Sequence, residues 1–265
     1  MIRYNKAQRL LVLDNKSIGY AVYVNEAGYL ETVYFGKSLS DYSDFDSVRN
    51  AGGFATPYYD AASGKESVYR DGFKQDCAPL EVSTHGLLDK RGAPVIIRGA
   101  NGSFATDLRF CKVSRMSGAP EPAGLPHAHG ACETADILLE DKALRVKVHL
   151  YLTIFPDKDV IVKSFRIENA GKKAVRLVRA MSMQLDLPRS DYDLVHFHGR
   201  WAKERDYACN ALPDGVQEVS STLGRSSAEE NPFVYLKERD ATMDCGEVIG
   251  FNLIYSGNFK FRTFV

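Results

Sequence analysis

The chain has 265 residues, and its 34 Lys and Arg residues balance its 34 Asp and Glu residues. This balance supplies neither the basic surface that nucleic acid binding requires nor a polybasic patch for membranes. A hydrophobic content of 45% is ordinary for a globular protein with a substantial core. The length fits one large β domain or two ordinary ones.

The first residues contain an apolar run of only four residues, 10–13, before Asp14. A signal peptide needs a longer apolar region and a small-residue cleavage site, so we expect a cytoplasmic protein. The cysteines are odd in number and form no CxxC pair, which argues against a disulfide framework or a thiolate zinc site. They are Cys77, Cys111, Cys132, Cys209 and Cys245.

Short β-rich runs separated by turn residues dominate the chain. The first runs are LLVLD, IGYAVYVN and YLETVYFG, which are rich in aromatic and β-branched residues. A less regular stretch follows over residues 40–72, which we expect to form an extended loop. A second irregular stretch, SGAPEPAGLPHAHG, contains three closely spaced prolines and predicts a surface crossing.

The segment LRVKVHLYLTIF alternates strictly between apolar and other residues, which predicts a strand with one buried face. The PDKD sequence is typical of a turn, and VIVKSFRIEN then predicts the returning strand of an antiparallel hairpin. Further strands are indicated by VRLVRAMSMQLDL, YDLVHFHGRW, NPFVYLK and EVIGFNLIYSG. No convincing amphipathic helix occurs, so the chain is predicted to be an all-β, two-sheet antiparallel sandwich.

Two His-x-His pairs, His127/His129 and His196/His198, invite a metal hypothesis. The second pair would share one strand face, but the sequence nominates no third ligand. We therefore expect hydrogen-bonding imidazoles and no metal site. No glycine-rich phosphate motif is present, and no cofactor is expected.

Glycoside hydrolysis requires two carboxyl groups flanking the scissile bond. The candidates lie mostly in polar turns, where solvation is expected, and none is nominated as catalytic. They are Asp44, Asp46, Asp186, Asp191, Asp193, Glu229 and Glu230.

Trp201 is the single tryptophan and lies in HGRWAKERD. Its ring could stack on the apolar face of a pyranose while the neighbouring charged groups bind hydroxyls. Equally, it could anchor a core or a subunit interface. The sequence leaves both roles open.

Several blocks in order resemble the N-terminal domain of family 36 α-galactosidases. They are GYLETVYFGKSL, LLEDKALRVKVHLYLTIFPDKDVIVKSFRIENAG, RAMSMQLDLPRSDYDLVHFHGRWAKERD, SSAEENPFVYL and GFNLIYSGNF. The resemblance implies a galactose-mutarotase-like β-supersandwich over residues 1–265. It also implies that a catalytic (β/α)₈ barrel with an aspartate nucleophile and an aspartate acid/base would follow downstream, so this chain alone would be inactive.

The resemblance further implies a homo-oligomer, a tetramer in the intact enzyme, in which the N-terminal domain of one subunit helps to close the sugar pocket of another. The contributing loop resembles the stretch around Phe54. Family members often carry an acidic residue just before this Phe, whereas this chain has Asn50-Ala51-Gly52-Gly53. We expect Asn50 to act as a neutral hydrogen-bonding substitute, and we take Trp201, Asn50 and Phe54 as candidate α-galactoside contacts. Ala228 stands where the family often has His.

Two main alternatives remain open on the sequence, and a metal-binding sandwich that uses His196 and His198 is a third, weaker one. A mutarotase or epimerase would need a general acid and base, for which His196, His198 and Glu204 are conceivable. A stand-alone carbohydrate-binding module would use Trp201 as its stacking platform.

Overall fold

A computed structural model describes residues 1–44, 75, 78–86, 89 and 91–265, together with the backbone of two short strands between residues 59 and 66. The described residues contain no α-helix, and consequently no helix that could span a membrane. The strands are β1 (Ile2–Asn5), β2 (Leu10–Asp14), β3 (Ile18–Val24), β4 (Leu30–Lys37), β5 (Tyr59–Asp60), β6 (Lys65–Glu66), β7 (Val95–Arg98), β8 (Arg109–Ser117), β9 (Glu133–Asp141), β10 (Val146–Phe155), β11 (Lys158–Asn169), β12 (Arg176–Ala180), β13 (Tyr192–Arg200), β14 (Lys203–Ala211), β15 (Val216–Ser221), β16 (Glu230–Glu238), β17 (Val248–Asn252) and β18 (Phe259–Phe264).

All paired strands are antiparallel, as the sequence predicted. The sheets have the strand orders β1-β2-β3-β4, β11-β10-β9-β8, β14-β13-β16-β17, β12-β7, β15-β18 and β5-β6.

The chain divides into two compact units. The first comprises Met1–Pro120 and Ala128–Asp186, and the second comprises Glu121–His127 and Leu187–Val265.

The first unit is a sandwich of its two four-stranded sheets. Leu13 and Val22 from one sheet share a continuous core with Ile137 and Leu150 from the other, and all four side chains are buried. Burial of each such side chain contributes about 1.5–3 kcal/mol. On β10, the alternation identified in the sequence places Val146, Val148, Leu150 and Leu152 in this core, each with 0% exposure.

The β2–β3 layer is buried on both faces. The side chains on the other face of these two strands, including Val12 and Ala21, pack in a second hydrophobic cluster with Val33 and Tyr42. The long apolar runs of β2 and β3 follow from this double burial, since a sheet covered on both sides needs apolar residues on both sides.

The second unit has its own core. Tyr192 and Leu194 of β13 and Val234 of β16 pack with Val219 of β15 and Phe259 of β18. These residues belong to the four-stranded sheet β14-β13-β16-β17 and the two-stranded sheet β15-β18, so this unit also has two layers. The face of β13 that carries Tyr192 and Leu194 is thus its inner face, and the other face points outward.

Candidate functional site

Trp201 lies at the tip of the β13–β14 hairpin. Arg200 pairs with Lys203, so Trp201 and Ala202 form the entire connection between the strands. The Trp201 side chain is 91% exposed, which shows that the core-anchor alternative is wrong. An exposed ring is compatible with both sugar stacking and an intermolecular contact.

The sequence around the tip explains why the hairpin adopts this shape. A Cβ atom on Gly199 would lie 2.1 Å from the Lys203 carbonyl oxygen, so only glycine permits the close approach of the two strands. Ala202 has a φ of 60°, and its backbone N–H donates to Glu204 Oε1 over 3.0 Å. These local constraints fix the position from which the Trp201 ring projects.

A histidine pair occupies the inner face of the same strand. The His196 and His198 rings lie 5.5 Å apart, and His198 is directly opposite Asp206 on β14 and Glu230 on β16. Burial lowers the pKa of His196, with a smaller opposing effect from Glu230. Burial at this position thus favours the neutral imidazole.

His196 differs from the sequence expectation in one respect. Its Nδ1 atom is buried and accepts or donates no hydrogen bond within the part of the chain that the structure describes. The same described part contains no group of three His, Cys, Asp or Glu side chains arranged to hold a metal ion. His127 and His129 lie elsewhere, in the Pro-rich connection between β8 and β9.

The outer face of the sheet carries an aromatic cluster that sequence reasoning missed. The Phe197 ring lies 6.2 Å from Tyr207, 6.3 Å from Phe233 and 6.3 Å from Tyr235, measured between ring centroids. Tyr207 is 53% exposed and Phe233 is 36% exposed. The sequence indicates one part of this cluster, because alternation along β13 places Phe197 on the face opposite to Leu194. It does not indicate the other rings, since they come together only through the register of the neighbouring strands.

The first unit contains a buried ion pair that was likewise not predicted from the sequence. Lys163 Nζ lies 2.7 Å from Glu81 Oε1, and the side chains are 7% and 1% exposed. The ammonium directs its hydrogen bonds to the Tyr20 hydroxyl, at 2.6 Å, and to the Gln184 carbonyl, at 2.8 Å. Tyr20 in turn donates to Glu81 Oε2, which completes the charge-bearing network.

Asp186 differs from the expectation that the candidate carboxylates are solvated. It forms an ion pair with Arg91 and accepts a 3.0 Å hydrogen bond from Gln184 Nε2. Burial raises the pKa of Asp186, and the Arg91 guanidinium opposes this effect. These contacts give it a structural position, because Arg91 is also paired with Asp89 and so joins the two carboxylates.

The structure describes only some of the remaining residues that the sequence singled out. Asn50 and Phe54 lie outside the described residues, so their assignment as sugar contacts stays a prediction. Ala228 lies beside the Trp201 hairpin, where its carbonyl oxygen accepts a 2.9 Å hydrogen bond from the Arg205 N–H.

Residues 28–263 match the family model described as the glycosyl hydrolase family 36 N-terminal domain. The chain belongs to this family. The resemblance drawn from the sequence blocks is thereby confirmed, as is the all-β antiparallel fold.

The family 36 N-terminal domain has curated relatives along nearly its whole length. It is 35% identical to alpha-galactosidase AgaA of Geobacillus stearothermophilus, with 97% of this chain and 35% of the relative covered. It is 32% identical to alpha-galactosidase Mel36A of Lactobacillus acidophilus, with 99% of this chain and 36% of the relative covered. The chain thus spans about a third of the length of these relatives.

Solved structures agree with the sequence matches. The galactosidase domain of the alpha-galactosidase–sucrose kinase AgaSK superimposes with a TM-score of 0.90 at 29% identity, covering 99% of this chain and 36% of that one. AgaA of Geobacillus stearothermophilus carrying A355E and D548N, solved in complex with raffinose, superimposes with a TM-score of 0.86 at 32% identity, covering 97% and 35%.

Proposed function

We propose that this family 36 N-terminal domain is the non-catalytic part of a retaining α-galactosidase that hydrolyses terminal α-galactosides such as melibiose or raffinose. The observation that carries the proposal is the match itself: almost all of this chain corresponds to about 35% of enzymes named alpha-galactosidases. The relatives extend well beyond the part that this chain matches, and we place the carboxyl pair that glycosidase chemistry requires in that remaining part.

In this proposal the domain supports a downstream catalytic barrel, contributes to the interface of a homo-oligomer, and supplies a wall of the sugar pocket. A cytoplasmic location is part of the same proposal. It is supported by the thiols, since Cys111, Cys132, Cys209 and Cys245 are all free cysteines.

An activity assay tests the assignment of the chemistry. The pure 265-residue chain should release no nitrophenol from p-nitrophenyl α-galactoside, whereas full-length AgaA assayed in parallel should do so. Turnover by the chain that persists after an additional purification step, and is lost after heat unfolding, would overturn the non-catalytic assignment.

A second candidate function, direct carbohydrate binding, is favoured by the 91% exposure of Trp201. Titration with galactose, melibiose and raffinose should then change the tryptophan fluorescence, and Trp201 is the sole source of that signal. Unchanged fluorescence up to high millimolar sugar would leave Trp201 as an intermolecular contact in the proposed oligomer.

A further inference from the structure

The connection between β7 and β8 begins with Gly99-Ala100-Asn101-Gly102, which contains the one Asn-Gly dipeptide of the chain. These residues form a tight turn, in which the Gly102 N–H donates to the Gly99 carbonyl over 2.9 Å. Gly102 has a φ of 84°, a left-handed conformation that favours glycine. The turn therefore depends on the glycine that follows Asn101.

The turn is fixed on one side and open on the other. A Cβ atom on Gly99 would lie 2.7 Å from Leu144 Cδ2, so the start of the turn is in close contact with a residue that packs on the core. By contrast, Asn101 is exposed, and a Cβ atom on Gly102 would meet nothing nearer than 3.9 Å. Water therefore reaches the Asn101 side chain and the peptide group after it.

The Asn101 side chain is folded along the backbone that follows it. Its Oδ1 atom accepts a 3.0 Å hydrogen bond from the Ser103 N–H. This bond holds the carboxamide beside the Asn101–Gly102 peptide group and withdraws electron density from the Cγ carbon. The Gly102 nitrogen is the main-chain atom that can close a five-membered ring on that carbon.

A cation lies beside the same peptide group. Arg98 Nη2 is 3.9 Å from the position that a Cβ atom on Gly102 would occupy, and its guanidinium carbon is 5.7 Å from the centroid of the Phe104 ring. A nearby positive charge favours loss of the proton from the Gly102 nitrogen, and it stabilises negative charge that develops on the carboxamide oxygen. It would also compensate a carboxylate formed at position 101.

We propose that Asn101 is a site of spontaneous deamidation, with water as the co-reactant. The Gly102 nitrogen loses its proton and attacks Asn101 Cγ, a C–N bond forms as the Cγ–Nδ2 bond breaks, and ammonia leaves with that proton. Water then opens the cyclic imide at either carbonyl carbon and gives aspartate or its β-linked isomer, without oxidation or reduction. The inference is independent of the proposed hydrolase role.

The hydrogen bond from Gly102 to Gly99 makes the reaction slower than in an unstructured peptide. This bond must open before the nitrogen can attack, and such local opening costs little free energy in an exposed turn.

Asn258 provides an internal control. It is also exposed, and its Oδ1 atom accepts a 2.8 Å hydrogen bond from the Gly224 N–H. The residue after it, however, is Phe259, which is buried and begins β18. A bulky side chain and a strand conformation both hinder ring closure at this position.

Peptide mapping by mass spectrometry after incubation of the 265-residue chain at mildly alkaline pH tests the assignment. Digestion at acidic pH prevents conversion during handling. The peptide that contains Asn101 should gain the mass difference between an NH₂ and an OH group, and its two products should separate by chromatography. Conversion at Asn101 should exceed that at Asn258 by about tenfold or more, because glycine leaves the attacking nitrogen unhindered. The rate should rise with pH, since the deprotonated nitrogen attacks.

Two variants separate the contributions. Asn101→Gln should abolish the mass change, because ring closure would then require a six-membered ring, and circular dichroism should show an intact fold since the residue is exposed. Arg98→Gln should slow conversion several-fold at constant ionic strength. Arg239→Gln is the matched control, because Arg239 is exposed in the second unit, and it should leave the rate unchanged.

Three results would overturn the assignment. One is equal conversion at Asn101 and Asn258, and another is a mass change that persists in the same peptide of Asn101→Gln. The third is an unchanged Asn101 in the folded chain after a synthetic peptide of residues 96–106 has converted fully. Equal rates in Arg98→Gln and Arg239→Gln would overturn the role given to the guanidinium group.

Discussion

Lys163 and Glu81 form an ion pair inside the first unit, with 2.7 Å between Nζ and Oε1 and almost no access to solvent. Removal of water from both charges is costly, and their mutual attraction offsets this cost only while both partners are present. Lys163→Met should therefore reduce the free energy of unfolding by about 3–5 kcal/mol. Urea denaturation monitored by circular dichroism measures this loss.

Two comparisons make the test specific. The double variant Glu81→Met/Lys163→Met should be less destabilised than Lys163→Met, because no unpaired charge remains buried. Lys158→Met removes an exposed ion pair with Asp157 and should cost at most about 1 kcal/mol. If Lys163→Met costs no more than Lys158→Met, the pair contributes nothing to stability.

Glu218 should contribute to acid sensitivity. Hydrogen bonds from Lys260 and Arg262 on β18 lower its pKa to about 2. A carboxylate whose pKa is lowered on folding stabilises the protein above its unfolded-state pKa of about 4.3, and this stabilisation is lost as the pH falls toward 2. Glu218→Gln should therefore show a smaller decrease in unfolding free energy than the parent between pH 5 and pH 2.

The size of the Glu218 effect is limited because its side chain is 30% exposed and solvent screens the ion pairs. Glu229→Gln is the control, since Glu229 is exposed and has no cationic partner within the described residues. It should leave the acid dependence unchanged. A pH profile of Glu218→Gln that parallels that of the parent would refute the assignment.

Gly199→Ala should destabilise the β13–β14 hairpin. The added methyl group would meet the Lys203 carbonyl oxygen at 2.1 Å, so the backbone must shift at a cost of about 1–3 kcal/mol. Thermal denaturation measures the loss. Gly171→Ala is the control, because its nearest contacts would be 3.3 Å away, and a cost as large as that of Gly199→Ala would contradict the geometric explanation.

Trp201 should contribute almost nothing to the stability of this chain. Trp201→Ala should change the unfolding free energy by no more than about 0.5 kcal/mol, because the side chain is 91% exposed. In the parent, acrylamide should quench the fluorescence nearly as efficiently as it quenches free tryptophan. Leu194→Ala on the same hairpin, at 0% exposure, should cost about 2–5 kcal/mol. Poor quenching of Trp201 would show that another molecule or segment covers it.

The strands with a strong alternating pattern were predictable from the sequence. The alternation in LRVKVHLYLTIF matches β10, and the returning strand pairs with it as expected, with Val148 opposite Ile167. The run VRLVRAMSMQLDL was less faithfully predicted: regular pairing covers only Arg176–Ala180. Gln184 and Asp186 instead direct their side chains to Ser83 and Arg91, which leaves no regular ladder there.

The candidate site was only partly predictable because its parts depend on contacts between distant residues. Trp201 could be singled out as the sole tryptophan, but its exposure follows from the two-residue connection and from Gly199. The aromatic cluster around Phe197 needs the register of three strands, and the Glu81–Lys163 pair joins residues 82 positions apart. Pairwise geometry of this kind has no local sequence signature.

The contacts of Ile2 have a consequence for the behaviour of the chain in concentrated solution. Unpaired N–H and C=O groups on an edge strand can recruit a strand from another molecule and begin aggregation. At Ile2, Glu133 and Arg115 of the facing sheet occupy both groups. Side chains from one sheet thus satisfy the backbone groups of the edge strand of the other sheet, and they protect that strand from intermolecular pairing at this residue.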